Sequence, residues 1–404
     1  MSGVKQGFRV ELDPTVEQRI RLGLHAGLSR VVENFCLALV KAALDQRRAE
    51  RSYGVPDQQL TPVPWSAPAL EKAWRAAHPA QYPWFTKDGL SSRVPKEACR
   101  ARAAALKNWA DSRKGARRGR RVGFPVWRKR KHGSRFRYDA DRARPSGART
   151  VALPGIGPVV TRENMSWLTD RLGDGRVRII GATVREQAGR WWVSFQIDID
   201  RADVNSRRAV TFDAPACGID LGLKTFAVIA DDTGTVEEVH APRALKAAQR
   251  RLRRANKALA RCQRGSNNRV KAARTVAAVH LKVAHQRGDF LHQLTTRLAR
   301  TKRAIAVESL NVAGMLRNRR MARAVSDAGF AEFVRQLEYK SSWYGSSVWA
   351  ADRWYPSSKT CGTCGAINTG LTLSDRTWSC QCGAVHDRDH NAARNLLIAM
   401  HTAA

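Results

Sequence analysis

The sequence predicts a multidomain α/β protein, and three observations lead to that prediction. The chain has 404 residues, more than one compact core usually needs, and 43% of them are hydrophobic. Apolar and polar residues alternate from Trp191 to Asp200, which is the period of a half-buried strand. Short apolar runs at 217–221 and 304–308 flank a long stretch with helical character. We therefore expect two or three domains that combine sheets and helices.

The N-terminal half is predicted to be a small sheet interrupted by helices. Residues 5–12 form an opening strand, and Asp13-Pro14 marks the start of a helix. Residues 50–95 are rich in proline and aromatic residues and predict irregular helices and loops, followed by a helix at about 96–112. Segments 177–184 and 191–199 predict a hairpin around Ala188-Gly189. We expect the opening strand to join this hairpin, which makes the helices an insertion.

The C-terminal half is predicted to start with a second hairpin. Its first strand is the run from Cys217 to Leu223, its second contains Phe226, Val228 and Ile229, and a turn follows at Thr233-Gly234. Two long basic helices are expected at about 243–263 and 269–300, then a strand at 304–308. Further helices are expected at about 326–344 and 389–400.

The charge of the chain indicates a polyanionic partner. Lys and Arg number 71 against 35 Asp and Glu, a formal net charge of +36. Such a chain repels itself unless a polyanion neutralises it, and phosphate contacts gain from counterion release. No run of about 18 apolar residues is present, and the first ten residues contain no apolar segment typical of a secretion signal. We expect a cytoplasmic, nucleoid-associated bacterial protein that binds nucleic acid.

The densest basic tract lies at 113–138, where aromatic side chains are interleaved with cations. This composition suits phosphate contacts combined with stacking on bases or sugars. We expect nucleic-acid contacts from this tract and from the first long basic helix, at Arg117, Arg118, Arg120, Arg121, Trp127, Arg128, Lys129, Arg130, Lys131, Arg250, Arg253 and Arg254.

Three carboxylates differ from the solvated acids of the surface. Asp220 and Glu308 lie within or at the ends of apolar strands, and Asp389 opens the last helix. Three acids that converge at one end of a sheet cannot all stay ionised without cations. Two Mg²⁺ ions about 4 Å apart would resolve this conflict and can activate water against a phosphodiester. The sequence therefore predicts a catalytic two-metal site in a basic protein, which makes the chain a nuclease candidate.

The order of these acids indicates the fold that carries them. A strand Asp, a later strand Glu and a helix Asp follow the RuvC branch of the ribonuclease-H-like fold, whereas strand-transfer transposases of that fold usually have Asp, Asp, Glu. Asp387 lies two residues from Asp389 and is the alternative third ligand. Asp389 has the expected spacing to Asn391, so we assign the role to Asp389.

Four of the eight cysteines are clustered near the C-terminus. Cys361 and Cys364 form one pair, and Cys380 and Cys382 form a second pair with only Gln381 between them. Four thiolates hold Zn²⁺ tetrahedrally and leave no ligand position open, so we expect one structural zinc ion. His386 is a further candidate ligand, although four cysteines do not need it. Because this ribbon precedes Asp389 by a few residues, its folding is expected to help position that acid.

Four short segments form a recognisable set. They are Gly-Ile-Asp-Leu-Gly at 218–222, Val-Glu-Ser-Leu at 307–310, Trp-Tyr-Pro-Ser-Ser-Lys-Thr-Cys at 354–361, and His-Asp-Arg-Asp-His-Asn-Ala-Ala at 386–393. Together they resemble the TnpB family of insertion-sequence-encoded nucleases, ancestral to type V CRISPR effectors. The similarity is strong from about 211 to 400 and weaker in the N-terminal half.

The resemblance implies an RNA-guided DNA endonuclease that binds a structured guide RNA as a monomer. Such a protein would cut double-stranded DNA beside a short flanking motif. The implied domains are a wedge-like β-barrel (1–13 and 118–205), a helical recognition lobe (14–117), a RuvC-like nuclease (211–354 and 386–404) and a zinc ribbon (355–385). The two basic helices would line the nucleic-acid channel.

Four other functions are compatible with parts of this pattern. A compact type V CRISPR effector shares the motifs, and a neighbouring CRISPR array rather than transposon ends would distinguish it. A guided DNA-binding repressor without cleavage predicts a lost carboxylate, and all three are present. A DNA-joining transposase conflicts with the Asp–Glu–Asp order. A plain zinc-ribbon DNA-binding protein leaves the three carboxylates unexplained.

Overall fold

The computed structural model describes residues 3–117, 119–130, 133–140, 142–200, 209–372 and 374–403. The chain forms two compact units, Met1–Asp200 and Arg201–Ala404. Of the helices in the described residues, none combines the length and the apolar character needed to cross a bilayer.

The first unit combines strands with a helical insertion. Its elements in chain order are β1 (Val4–Leu12), α1 (Val16–Ser52), α2 (Ala67–Gln81), α3 (Trp84–Lys87), α4 (Arg93–Arg113), β2 (Arg135–Asp139), β3 (Arg144–Gly147), β4 (Thr150–Leu153), β5 (Gly157–Val160), α5 (Ser166–Gly173), β6 (Val177–Gln187) and β7 (Arg190–Ile199). A short 3₁₀ helix lies at Asp57–Gln59.

The main sheet of the first unit is antiparallel, with strand order β1-β7-β6-β2. Strand β1 pairs with β7 along its whole length, from Val4 opposite Ile199 to Leu12 opposite Trp191. The prediction that the opening strand joins the later hairpin is therefore confirmed, and α1–α4 are an insertion between β1 and β2. The hairpin turns where predicted, because Ala188 and Gly189 both adopt positive φ. A second, three-stranded sheet has the order β3-β4-β5.

Helix α1 begins with a capping box. The Thr15 hydroxyl accepts a hydrogen bond from the Gln18 backbone N–H (3.3 Å), and the Gln18 side chain accepts one from the Thr15 N–H (3.1 Å). This reciprocal pair satisfies two N–H groups that have no partner within the helix. The predicted start signal at Asp13-Pro14 thus lies directly before the capping residue Thr15.

The structure corrects the prediction that Arg128 contacts nucleic acid. Arg128 is only 7% exposed, and its guanidinium pairs with Glu33 of α1. The side-chain amide of Asn34 also hydrogen-bonds the Arg128 backbone, accepting from its N–H (2.8 Å) and donating to its carbonyl (3.0 Å). Arg102 of α4 lies 3.8 Å from the same carboxylate. Arg128 therefore anchors the basic tract to the helices, and it is not available to a phosphate.

Replacing Glu33 with Gln is expected to destabilise the first unit. The substitution leaves two buried guanidinium groups without their counter-charge, and breaking a buried pair in this way costs about 3–5 kcal/mol. Urea unfolding would measure the loss. The control is Asp45→Asn, because the ion pair between Asp45 and Arg48 is exposed (side chains 69% and 82%) and is expected to contribute less than about 1 kcal/mol. Equal losses in both variants would contradict the assigned role of Glu33.

The second unit contains a five-stranded sheet, the long basic helices and a small ribbon. Its elements are β8 (Cys217–Leu221), β9 (Ala227–Asp231), β10 (Val236–Val239), α6 (Ala244–Arg261), α7 (Asn267–Thr301), β11 (Ala304–Glu308), α8 (Val312–Met315), α9 (Ala322–Ala328), α10 (Phe330–Tyr344), β12 (Ser347–Ala351), β13 (Thr377–Ser379), β14 (Val385–Asp387) and α11 (Arg388–Ala403).

The sheet of the second unit has strand order β10-β9-β8-β11-β12. Strands β8, β9 and β10 are antiparallel neighbours, whereas β11 runs parallel to both β8 and β12. One face packs on apolar residues of α7 and α10, and the other packs on α11. Gly218 permits the approach of α11, since a Cβ there would lie 2.1 Å from the Ala393 carbonyl oxygen. Asp220, two residues along β8, faces the same side.

The prediction of two long basic helices is confirmed, whereas the single helix expected at 326–344 is interrupted. Gly329 adopts φ +77° and separates α9 from α10. A left-handed residue ends a helix, and glycine adopts this conformation without strain. A Cβ at this position would also lie 3.1 Å from the Cδ of Arg287 on α7. Asp327, two residues before this break, accepts hydrogen bonds from the backbone N–H groups of Leu245 (2.8 Å) and Lys246 (3.0 Å) in the first turn of α6.

Candidate functional site

The structure brings the three predicted carboxylates to one edge of the sheet. Asp220 and Glu308 lie near the carboxyl ends of β8 and β11, which are parallel neighbours with Ile219 opposite Val307. Asp389 lies in the first turn of α11, the helix that packs across β8. Residues from two strands and one helix therefore lie close enough to influence one another electrostatically, although they are separated by up to 169 positions (389 − 220) in the sequence.

The electrostatics of this edge are unfavourable for three ionised acids. Removal from water, together with repulsion from Glu308 and Asp389, raises the pKa of Asp220 well above its ordinary value. Removal from water also raises the pKa of Glu308, although a hydrogen bond from Ser357 opposes that shift. A divalent cation would remove the repulsion, and oxygen donors of this type are the ligands that Mg²⁺ prefers. The donor set therefore fits the predicted metal site.

Neighbouring side chains orient two of the carboxylates. The Ser357 hydroxyl donates to Glu308 Oε1 (2.8 Å). Arg376 lies 3.1 Å and Arg388 lies 3.5 Å from the Asp389 carboxylate. The sequence analysis did not single out Ser357 or Arg376, because their partners lie far away in sequence. The only sequence signal for Ser357 is its place in the segment at 354–361 that resembles the TnpB family.

The geometry separates the roles of Asp387 and Asp389. Asp387 is exposed and precedes α11, where its Oδ1 accepts hydrogen bonds from the backbone N–H groups of Asp389 and His390 (both 3.0 Å). This is the arrangement of a helix N-cap. Asp389 instead acts electrostatically on Asp220. The structure therefore favours Asp389 as the third carboxylate and gives Asp387 a capping role.

The four clustered cysteines lie close enough to share one metal ion. Their Sγ atoms are all within 4.8 Å of one another, with 3.7 Å between Cys361 and Cys382 and 3.6 Å between Cys364 and Cys380. A tetrahedral zinc site with Zn–S of about 2.3 Å requires S–S distances of about 3.8 Å. The geometry therefore fits zinc. His386 Nε2 lies 3.1 Å from Cys361 Sγ, beside the cluster.

Local hydrogen bonds favour the thiolate of Cys361. Burial raises its pKa, but the backbone N–H groups of Cys364 and Thr363 lower it, together with His386, to about 5. The glycines that follow each pair, Gly365 and Gly383, adopt positive φ and form the tight turns that direct N–H groups at sulfur. Cysteine binds metals as the thiolate, so this environment supports metal binding.

Two buried asparagines connect the ribbon to the helix that carries Asp389. Asn391 accepts a hydrogen bond from the Gly362 N–H (3.0 Å) and donates to the Thr360 carbonyl (2.7 Å). Asn395, one turn later, donates to the carbonyls of Thr360 (2.7 Å) and Ser357 (2.8 Å). The first cysteine knuckle and the segment that holds Glu308 are thus fixed to α11. The sequence analysis did not predict a role for Asn395. The signal that could have found it is a pair of asparagines four residues apart on an otherwise apolar helix face.

The remaining predicted nucleic-acid residues lie at the surface where the structure describes them. Arg118 and Lys131 lie outside the described residues. In the first unit, the exposed residues are Arg117, Arg120, Arg121, Trp127, Lys129 and Arg130. In the second unit, the exposed residues are Arg250, Arg253 and Arg254 on α6, opposite the face that buries Leu252 and Ala255. Exposure is necessary for phosphate contact, so these residues stay candidates.

Three segments of the chain match known families. Residues 199–319 match a family described as "Probable transposase", and residues 330–396 match a "Cas12f1-like, TNB domain". Residues 1–49 match a "Helix-turn-helix domain", although the structure forms strand β1 and a single helix there.

Curated relatives extend the similarity over nearly the whole chain. A "Putative RNA-guided DNA endonuclease" of Mycobacterium tuberculosis strain H37Rv is 35% identical, over 97% of this chain and 85% of that protein. The chain belongs to the TnpB family. Two further relatives are also named putative RNA-guided DNA endonucleases: one from Streptomyces pristinaespiralis (33% identical, over 99% of this chain and 90% of that one) and InsQ from Escherichia coli K12 (29% identical, over 98% and 92%).

A solved structure shares the overall fold of this TnpB family member. It is the protein of a Cas12f1 complex with guide RNA and target DNA, matched with a TM-score of 0.50 over 98% of this chain and 99% of that one. The two sequences are only 13% identical, so the likeness concerns the fold alone. The prediction of TnpB membership, made from four short segments, is confirmed.

Proposed function

We propose that the protein is an RNA-guided DNA endonuclease that hydrolyses phosphodiester bonds at a RuvC-type carboxylate site. The observation that carries the proposal is the convergence of Asp220, Glu308 and Asp389 at one sheet edge in a TnpB family member. The strand order, with three antiparallel strands followed by two parallel ones, supports a ribonuclease-H-like domain. The net charge of +36 supports binding of both a guide RNA and DNA.

The three carboxylates would hold two Mg²⁺ ions. When bound, these ions supply a deprotonated water and neutralise the charge that develops on the phosphate. Two side chains of the protein orient the metal-binding carboxylates: the Ser357 hydroxyl bonds to Glu308, and the Arg376 guanidinium bonds to Asp389. Attack of water on phosphorus forms one P–O bond and breaks another. Because Asp220 resists ionisation, protons are expected to compete with the metal for this ligand.

The other parts of the chain would support this chemistry. We infer one structural zinc ion on Cys361, Cys364, Cys380 and Cys382. The proposed division is a wedge-like β-barrel (1–13 and 118–205), a helical recognition lobe (14–117), the nuclease (211–354 and 386–404) and the zinc ribbon (355–385). One chain would act on one guide RNA, with the flanking motif read by the protein and the target read by base pairing.

Guided cleavage of plasmids tests the proposal. The chain would be co-expressed with its native flanking DNA and purified with any bound RNA. Plasmids carrying a guide-matched target beside a randomised flank would then be added with Mg²⁺, for the wild type and for Asp220→Ala. We expect linear plasmid enriched in one flanking motif for the wild type and intact plasmid for the variant.

Two other outcomes would contradict the proposal. Bound RNA with target protection but no cleavage would indicate a guided DNA-binding protein. Absence of bound RNA would indicate a zinc-ribbon DNA-binding protein without a guide. A compact type V CRISPR effector would give the same cleavage, but the curated relatives do not favour that alternative.

A further inference from the structure

An exposed tryptophan lies beside the carboxylate site. The Trp354 side chain is 80% exposed, whereas Trp127 (41%) and Trp65 (40%) are the next most exposed tryptophans among the described residues. Burial of a large aromatic side chain is one of the strongest stabilising contributions in a protein. A tryptophan left in water therefore contributes little to folding, which suggests that it serves an interaction.

The segment around Trp354 is held at both ends by the Glu308 region. Strand β12 ends at Ala351, which pairs with Glu308 in the sheet. Three residues after Trp354, the Ser357 hydroxyl bonds the Glu308 carboxylate (2.8 Å). Three residues of chain span at most about 11 Å. The indole therefore lies within a few nucleotides' length of any phosphate bound at the carboxylates.

Hydrogen bonds hold the chain at Trp354 and at the next residue. The Trp354 N–H donates to the Asp352 carboxylate (2.8 Å), and the Tyr355 hydroxyl donates to the Asn395 carbonyl (3.1 Å). The Arg353 guanidinium lies 4.9 Å from the centre of the Trp354 ring. A cation on the ring adds attraction for a phosphate without covering most of the indole.

We infer that Trp354 is a stacking platform for one unpaired base of the DNA strand that enters the carboxylate site. This inference rests on the proposed nuclease function and adds a positioning residue to it. An aromatic face stacks on any base, and a neighbouring arginine attracts the backbone, which is the combination used for single strands without sequence preference. Stacking next to the scissile phosphate would fix the strand so that the phosphate lies against the carboxylates.

The test pairs a protein variant with a DNA variant. The complete complex with guide RNA would cut targets that carry one abasic nucleotide, moved stepwise through the positions around the cleavage site. We expect one position where the missing base slows the wild type on the order of tenfold, and Trp354→Ala to show the same loss on intact DNA. In Trp354→Ala the abasic nucleotide at that position should have no further effect. Trp354→Phe should restore most of the rate.

Phe212→Ala is the matched control, because Phe212 is 98% exposed in the same unit and lies outside the site. It should respond to abasic DNA as the wild type does. An abasic effect that persists undiminished in Trp354→Ala, or wild-type cleavage by that variant, would overturn the inference.

A DNA-binding measurement tests stacking by Trp354 independently of DNA cleavage. Anisotropy of a labelled single strand would be measured on Asp220→Ala with and without Trp354→Ala. The labelled strand would carry the abasic nucleotide at each position in turn. If one abasic position weakens binding to Asp220→Ala, while the double variant binds more weakly and does not respond to that position, stacking is supported even if the wild type cuts nothing. Equal binding of both proteins and of both DNA strands would overturn it.

Discussion

Asp389→Asn is expected to abolish DNA cleavage, whereas Asp387→Asn two residues earlier should leave most of it intact. Asp389 is the third ligand of the proposed metal site, so loss of its charge should lower the cleavage rate on the order of 10³-fold or more. Asp387 caps α11 through two backbone N–H groups. Asparagine caps a helix about as well as aspartate, so the second substitution keeps the function of the side chain.

The pair is a closely matched comparison, because both substitutions remove one negative charge from the same helix terminus. Cleavage rates would be measured on a guide-matched target with guide RNA bound, and thermal unfolding would verify that both variants fold. Asp387→Ala adds a second control and should cost about 1 kcal/mol of stability through loss of the cap. If Asp387→Asn were inactive and Asp389→Asn active, the assignment of the third carboxylate would be reversed.

Sequence reasoning could select the candidate site residues because each of them carries a local signal. Asp220 and Glu308 interrupt apolar strands, and a charge in that position needs a partner or a metal. The cysteines have the spacing of a metal site whatever surrounds them. Each of these conclusions depends on residues that are close together in the sequence.

The features that sequence reasoning missed depend on distant partners. Arg128 resembles its neighbours in the basic tract, but Glu33, located 95 residues earlier, makes it a buried ion-pair partner. The segment 326–344, predicted as one helix, has a continuous apolar face. In the structure Gly329 ends α9, at a point where the side chain of Arg287 approaches. Ser357 and Asn395 contact residues that only the folded chain brings near. Burial and pairing of polar groups are decided by tertiary contacts, which composition does not contain.

Loss of zinc is expected to lower cleavage as well as to unfold the ribbon. Cys382→Ser removes one thiolate, and metal binding supplies much of the folding free energy of such small sites. Asn391 and Asn395 transmit the change, since their partners Thr360 and Gly362 flank Cys361. Without them the first turn of α11 loses its hydrogen bonds to the ribbon, although the helix still packs on the sheet. A displacement of Asp389 by about 1 Å is enough to cost on the order of 10²-fold in rate.

Metal analysis and cleavage assays on three variants would test this coupling. Cys382→Ser should lose its zinc and most of its activity, whereas Cys262→Ser, at a half-buried thiol outside the cluster, should keep both. Asn391→Ala is the informative third case: it should retain zinc but cut more slowly, because its two hydrogen bonds between the ribbon and α11 are lost while the cysteines stay intact. A zinc-free Cys382→Ser protein that cut at the wild-type rate would refute the coupling. An Asn391→Ala protein with full activity would place the coupling on Asn395 or on the chain itself, since the ribbon leads into α11 through only a few residues.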